Sequence, residues 1–223
     1  MASEDCDKII RKGASRMYIP KYYRLTDRDE IGALLAFSPF GTLVAVDGGA
    51  PIAVHMPFEW REEGERLILE GHVSRGNRIW RVAPDNGEVL VMFQGPHAYI
   101  SSSWYEDPNV PTWNYLAAHV YGSCCVLTDD QLAVAMRQLL NHYEAGRPQG
   151  RTWEALGDAF LEREMRGIVG LRIEVSRIEA AKKMSQNRNA ADFAHIIEKL
   201  EESGRAEEQA VADIMRQIRP ESR

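Results

Sequence analysis

The side chains best suited to chemistry gather between Gly71 and Gly122. Three of the five tryptophans lie there (Trp80, Trp104, Trp113), with three of the six histidines (His72, His97, His119). Aromatic and polar residues mixed this densely line a site or fill an interface, because a plain core prefers aliphatic side chains. The stretch opens with GHVSRGNRIWR, in which Ser74, Arg75, Gly76 and Asn77 stand between a β-rich run and a short helical one. A hydroxyl, a guanidinium fork and free backbone N–H groups at a strand-to-helix junction make an anion pocket. Gly76 would let the backbone approach the anion, and His72, two residues before Ser74, shares its strand face. The competing reading makes Arg75 and Arg78 ordinary solvated surface charges.

Metal chemistry is not indicated. His55, His72, His97 and His119 come from separate strand-like runs, with no carboxylate or thiolate at ligand spacing. They read as structural histidines. Cys124 and Cys125 are adjacent and read as small residues facing opposite ways, and three cysteines make no disulfide framework. A reducing, cytoplasmic setting is therefore expected. No apolar run approaches the roughly 20 residues that span a bilayer, so no membrane partner is expected. The net charge of −6 argues against strong non-specific nucleic-acid binding.

The elements that must position these residues can be read along the 223-residue chain. Residues 1–16 are charged and aperiodic and read as a flexible extension. DRDEIGALLAF forms a helix with Thr26 as N-cap and Asp29 at its third position, ending before Ser38-Pro39. FGTLVAVD and PIAVHMPFEW form a hairpin through Asp47-Gly48-Gly49, and RLILEGHVS is a third strand. A short helix over 77–83 leads to GEVLVMFQG, which Gly95-Pro96 turns into HAYISSSWY. WNYLAAHVYGSCCVL is the sixth strand, and six strands at short spacing indicate an antiparallel barrel or sandwich. TDDQLAVAMRQLLNHYE is an amphipathic helix capped by Thr128, and TWEALGDAFLEREM a second helix. GIVGLRIEVSRIEAAKK alternates as a half-buried strand, and two helices hinged at Ser203-Gly204 close the chain.

Four segments, MYIPKYY, GHVSRGN, FQGPHAYISSSWYE with VPTWNY, and KKMSQN, together resemble the PaiB-type FMN-binding negative transcriptional regulators. The resemblance covers residues 17–215. It implies an α+β fold, the antiparallel split β-barrel shared with pyridoxamine-phosphate oxidases and flavin reductases, with peripheral helices and a C-terminal helix pair. The implied organisation is an extension over 1–16, an FMN-binding domain over 17–187 and a helical appendage over 188–223. In that family FMN lies in a groove at a homodimer interface, with both protomers contributing. Its phosphate site corresponds here to Ser74, Arg75, Gly76 and Asn77, with His72 on the same face. Relatives often place a second basic residue beside the Arg, where this chain has Gly76. A second cation would then come from Lys182, Lys183, Arg78 or the partner chain.

His55 and Pro57 would run along the isoalloxazine, although a buried histidine bonded to a carbonyl is the competing reading for His55. Gln94 would reach flavin heteroatoms or cap the strand ladder. Trp113 and Asn114 would be contributed across the dimer, unless Trp113 is interface packing. Gln186 and Asn187 would close the groove. The resemblance implies transcriptional regulation, direct or indirect. Fold analogy allows two alternatives, a flavin-dependent oxidoreductase acting on a small molecule and a haem-binding or haem-degrading protein. Direct DNA binding draws little support from the C-terminal helices, since residues 188–219 carry five basic residues against seven acidic ones.

Overall fold

The computed structural model describes residues 17–64 and 66–218. The extension expected over 1–16 lies outside the described residues. Seven strands are present among them: β1 Arg24–Leu25, β2 Phe40–Asp47, β3 Ala50–Glu63, β4 Arg66–Ser74, β5 Val89–Ile100, β6 Thr112–Val126 and β7 Ile168–Lys183. The helices are α1 Arg28–Phe37, α2 Ile79–Val82, α3 Asp129–Glu144, α4 Trp153–Leu156, α5 Asp158–Met165, α6 Ala190–Glu202 and α7 Ala206–Arg216. The strands pair in the order β1-β7-β4-β3-β2-β5-β6, and an additional β6–β7 pairing closes β7 through β6 into a ring with β1 outside it. This is the α+β, antiparallel split-barrel topology that the sequence predicts. Among the described residues no helix is long and apolar enough to cross a membrane.

Contacts divide the chain into two compact units. The first comprises 39–92 and 120–178 of the described residues. Its β2–β3 hairpin pairs Asp47 with Ala50 across Gly48 and Gly49, whose φ values of 57° and 89° are those a two-residue turn demands. The period of two then sorts the side chains of β2. Gly41, Leu43 and Ala45 are buried, while Phe40, Thr42, Val44 and Val46 face away from the core. Leu43, Ile68, Leu69, Val91, Leu171 and Ile173 are fully enclosed. Each such side chain contributes roughly 1.5–3 kcal/mol by leaving water.

The cap expected at Thr128 forms, and it is a full capping box: Thr128 Oγ1 accepts from the Gln131 N–H and Gln131 Oε1 accepts from the Thr128 N–H. It starts α3, which buries Leu132, Ala135 and Met136 in a cluster joined by Trp153 and Met165. TWEALGDAFLEREM is not one helix. Gly157, at φ 77° and ψ 145°, separates α4 from α5.

The second unit comprises 17–38, 93–119 and 179–218 of the described residues. Helix α1 is capped by Asp27, whose side chain accepts from the Glu30 N–H at 3.0 Å, one residue later than the Thr26 cap expected. The expected turn at Gly95-Pro96 is absent, and β5 passes straight through it. Gly95 is needed for proximity rather than for a turn, since a Cβ there would lie 2.9 Å from Leu34 Cδ1 and 3.1 Å from Leu116 Cβ. Helices α6 and α7 bury Phe193, Ile196, Leu200, Val211 and Met215 against Ala98, Ile100, Tyr105 and Met184. Their apolar spacing of three and four residues already marks that face.

Candidate functional site

In the first unit the candidate residues spread over β2, β3, β4 and the turn that follows. Register places Thr42 opposite His55 and Phe40 opposite Pro57. Thr42 Oγ1 lies 2.8 Å from His55 Nδ1, and the Phe40 ring stacks on His55 at 6.3 Å with an interplanar angle of 19°. His55 is exposed and its partner is a hydroxyl, so the alternative of a buried histidine held by a carbonyl does not apply. Around this pair Phe40 is 65% exposed and Val46 51% exposed, and the same strand face carries Val44, Ala53, Leu90 and Met92. The result is an outward apolar sheet face with one imidazole and one hydroxyl on it. A flat heteroaromatic ring suits such a surface. The alternation in FGTLVAVD puts Phe40 and Thr42 on one face, so both could have been named from sequence.

His72 is half-buried on β4, and its Nδ1 is enclosed without a hydrogen-bond partner among the described residues. Burial pushes its pKa below the ordinary histidine value, which favours the neutral imidazole. In the next turn Ser74 Oγ accepts from the Gly76 N–H, and Asn77 Oδ1 accepts from the Ile79 N–H. These bonds shape the turn. Arg75 points elsewhere: its Nε donates to the Arg166 carbonyl at 2.8 Å and its Nη2 to the Ile168 carbonyl at 3.0 Å. It lines a cavity of about 530 Å³ with Asp129, Asp130, Trp153, Asp158, Glu162 and Arg166. Four carboxylates against two guanidiniums give that cavity an acidic wall, which disfavours a phosphate.

In the second unit His97 gathers two of the candidates. Gln94 Nε2 lies 3.1 Å from His97 Nδ1, which is also 2.8 Å from Glu207 Oε1. Trp113, 52% exposed, packs against His97 and meets Tyr99 edge-on, each at 5.9 Å between centroids. Asn114 is not with them. It is fully buried, accepting from Ser185 Oγ at 3.0 Å and donating to Met215 Sδ. Neighbours in a strand face opposite ways, so Trp113 and Asn114 could not share a surface. Gln186 folds back on its own loop, accepting from the Met184 N–H and donating to the Lys182 carbonyl. Asn187 is half-buried beside it.

Among the described residues no group of three His, Cys, Asp or Glu side chains is placed to hold a metal ion. Burial pushes the Cys124 thiol up to about 12, so it is no nucleophile near neutrality. Burial also lowers His119, with Glu179 opposing. Depressed histidine pKa values carry a pH signature. Below pH about 6.5 the unfolded chain takes up protons that the folded His72 and His119 refuse, so stability falls as pH drops. Urea midpoints should decline from pH 7.5 to 5.5, and His72→Gln should flatten that slope.

A family model described as "Putative FMN-binding domain" matches residues 17–177. The "Protease synthase and sporulation protein PAI 2" of Bacillus subtilis is 44% identical over 199 residues, covering 89% of this chain and 96% of that protein. An uncharacterised protein of Saccharomyces cerevisiae is 29% identical over 160 residues, covering 60% of this chain and 94% of its own length. Two solved structures share the fold. An FAD- and haem-binding protein from Mycobacterium smegmatis has a TM-score of 0.59 at 20% identity, covering 77% of this chain and 79% of that one. The flavocytochrome Anf3 from Azotobacter vinelandii has a TM-score of 0.61 at 16% identity, covering 81% and 80%.

Proposed function

Because the chain belongs to the family of FMN-binding domains that includes the PaiB-type proteins, we propose that it is a cytoplasmic homodimer that holds FMN and acts in transcriptional regulation indirectly. The observation that carries this reading is the outward face around Phe40, Thr42 and His55. An apolar sheet face with so few polar groups is costly to leave in water. A flavin ring and a second protomer would cover it together. His55 and Pro57 would lie along the ring edge, and the neutral His72 imidazole has a ring nitrogen free to bond. Ser74 and Asn77 would frame the ribityl end, on a turn that Arg75 ties to the Arg166 and Ile168 carbonyls. From the other protomer, Trp113 would stack and Gln94 would offer its amide, with Asn114, Gln186 and Asn187 holding the backbone behind them.

Bound FMN would supply hydride and one-electron chemistry. The protein's part is to bind and orient it and to exclude water. Regulation is proposed to be indirect because the basic side chains of the C-terminal helices are already paired. Lys199 meets Glu202, Arg205 meets Glu208 and Arg216 meets Glu201. The test is the absorption spectrum of purified protein incubated with FMN and desalted. Retained flavin bands support the reading. Loss of all flavin on desalting contradicts it, and a Soret band would point to haem instead.

A further inference from the structure

The second unit contains cations that the candidate site does not use. Three of this chain's basic side chains could supply the second charge that Gly76 does not. Two of them are neutralised: Arg78 pairs with Asp47 at 2.8 Å, and Lys182 pairs with Glu30. Lys183 is different. Its Nζ donates to Thr112 Oγ1 and lies 5.8 Å from the centre of the Tyr23 ring, and among the described residues no carboxylate pairs with it.

Among the described residues Arg188 likewise pairs with no carboxylate. Ser185 sits in the left-handed region at φ 59°, held there by its hydroxyl bond to buried Asn114, and its carbonyl accepts from the Arg188 N–H at 3.0 Å. This turn carries Arg188 back over the Tyr105 ring, with its guanidinium carbon 4.7 Å from the ring centre. Among the described residues Arg188 Nε is enclosed without a partner, and so is the hydroxyl of Tyr105, a residue only 8% exposed. The acid closest in sequence, Asp192, is occupied by the Glu106 N–H and by Asn189 Nδ2. Burial lowers the Lys183 pKa, and the charge of Arg188 lowers it further. Two half-buried like charges that meet no carboxylate among the described residues, beside a buried hydroxyl and a guanidinium Nε without acceptors, are costly in the free protein. An anion removes that cost.

We infer that Lys183, Arg188 and the Tyr105 hydroxyl form a binding site for a phosphate-sized oxyanion. Lys183 supplies a point charge, Arg188 a directional donor and Tyr105 a neutral one, a donor set that suits a phosphate monoester. The anion could be the phosphate of the flavin nucleotide or that of a separate small metabolite. Only the first of these rests on the proposed function; the site itself does not.

The test uses the full-length protein and inorganic phosphate, followed by calorimetric titration and by thermal unfolding in phosphate against chloride of equal ionic strength. Wild type should bind phosphate and be stabilised by it. Lys183→Gln and Arg188→Gln should each weaken binding about ten- to a hundredfold, the range for one charge-assisted hydrogen bond. Arg188→Lys, which keeps the charge, should retain most of the affinity and guards against a folding artefact. Phosphate binding that is absent in wild type, or unchanged in both glutamine variants, overturns the inference.

A second arm compares FMN with riboflavin. If Arg188→Gln weakens FMN by the same factor and leaves riboflavin alone, the anion is the flavin phosphate. If phosphate binding drops while both flavins hold, the site serves a separate anionic ligand. If wild type binds no flavin but loses phosphate on substitution, the flavin reading fails and this site stands.

Discussion

Val44→Asp should yield a folded monomer that has lost FMN. Val44 lies opposite Ala53 on β3 and Leu90 on β5, at the centre of the outward face. Its side chain faces away from the enclosed Leu43 and Ala45, so a carboxylate there leaves the protomer's own core intact. In the dimer the same carboxylate would be buried without a partner. An uncompensated buried charge costs on the order of 4 kcal/mol, which raises the dimer dissociation constant about a thousandfold. Such interfaces bury more than roughly 2,000 Å² in obligate dimers, so the wild type should stay dimeric at micromolar concentration. Light scattering with circular dichroism checks both halves. A variant that remains dimeric shows that the partner docks elsewhere.

The purified protein should form no sequence-specific complex with DNA at physiological salt. A DNA-binding dimer neutralises several phosphates, and its affinity then falls steeply as salt rises. This chain carries a net charge of −6, and Lys199 on α6, Arg205 just before α7 and Arg216 at its end are each matched by a glutamate. Arg188 lies over Tyr105 rather than projecting from a helix face. The expected difference is large, since specific complexes at such salt are roughly 10³–10⁷ tighter than non-specific ones. A titration against the upstream region of its own gene, with unrelated competitor DNA, decides it. A nanomolar complex that survives competitor would mean that regulation is direct.

Much of the fold is legible in the sequence because local rules decide it. Asp47-Gly48-Gly49 can make only a tight hairpin, and Thr128 with Gln131 announces the start of α3. The misreadings share a cause. Gly95-Pro96 looks like a turn because glycine and proline usually are one. Here the glycine serves Leu34 and Leu116, which come from distant parts of the chain. Gly157 sits inside a helical pattern, yet its positive φ ends α4. Thr26 and Asp27 are both good caps, and the structure uses the second.

The candidate site was legible to a different degree. Alternation alone puts Phe40 and Thr42 on one face, and register then brings His55 to both. The same alternation separates Trp113 from Asn114. What spacing could not reveal is where long side chains end. Arg75 reaches the carbonyls of Arg166 and Ile168, about ninety residues away, and Arg188 reaches Tyr105 only because Ser185 turns the chain.

Sedimentation velocity with FMN, recorded at the protein band and at the visible flavin band, tests the central claim most directly. The account predicts one boundary at twice the chain mass that carries both absorbances, with one flavin per protomer. Flavin absorbance left at the meniscus, or a boundary at the monomer mass that carries flavin, would contradict it.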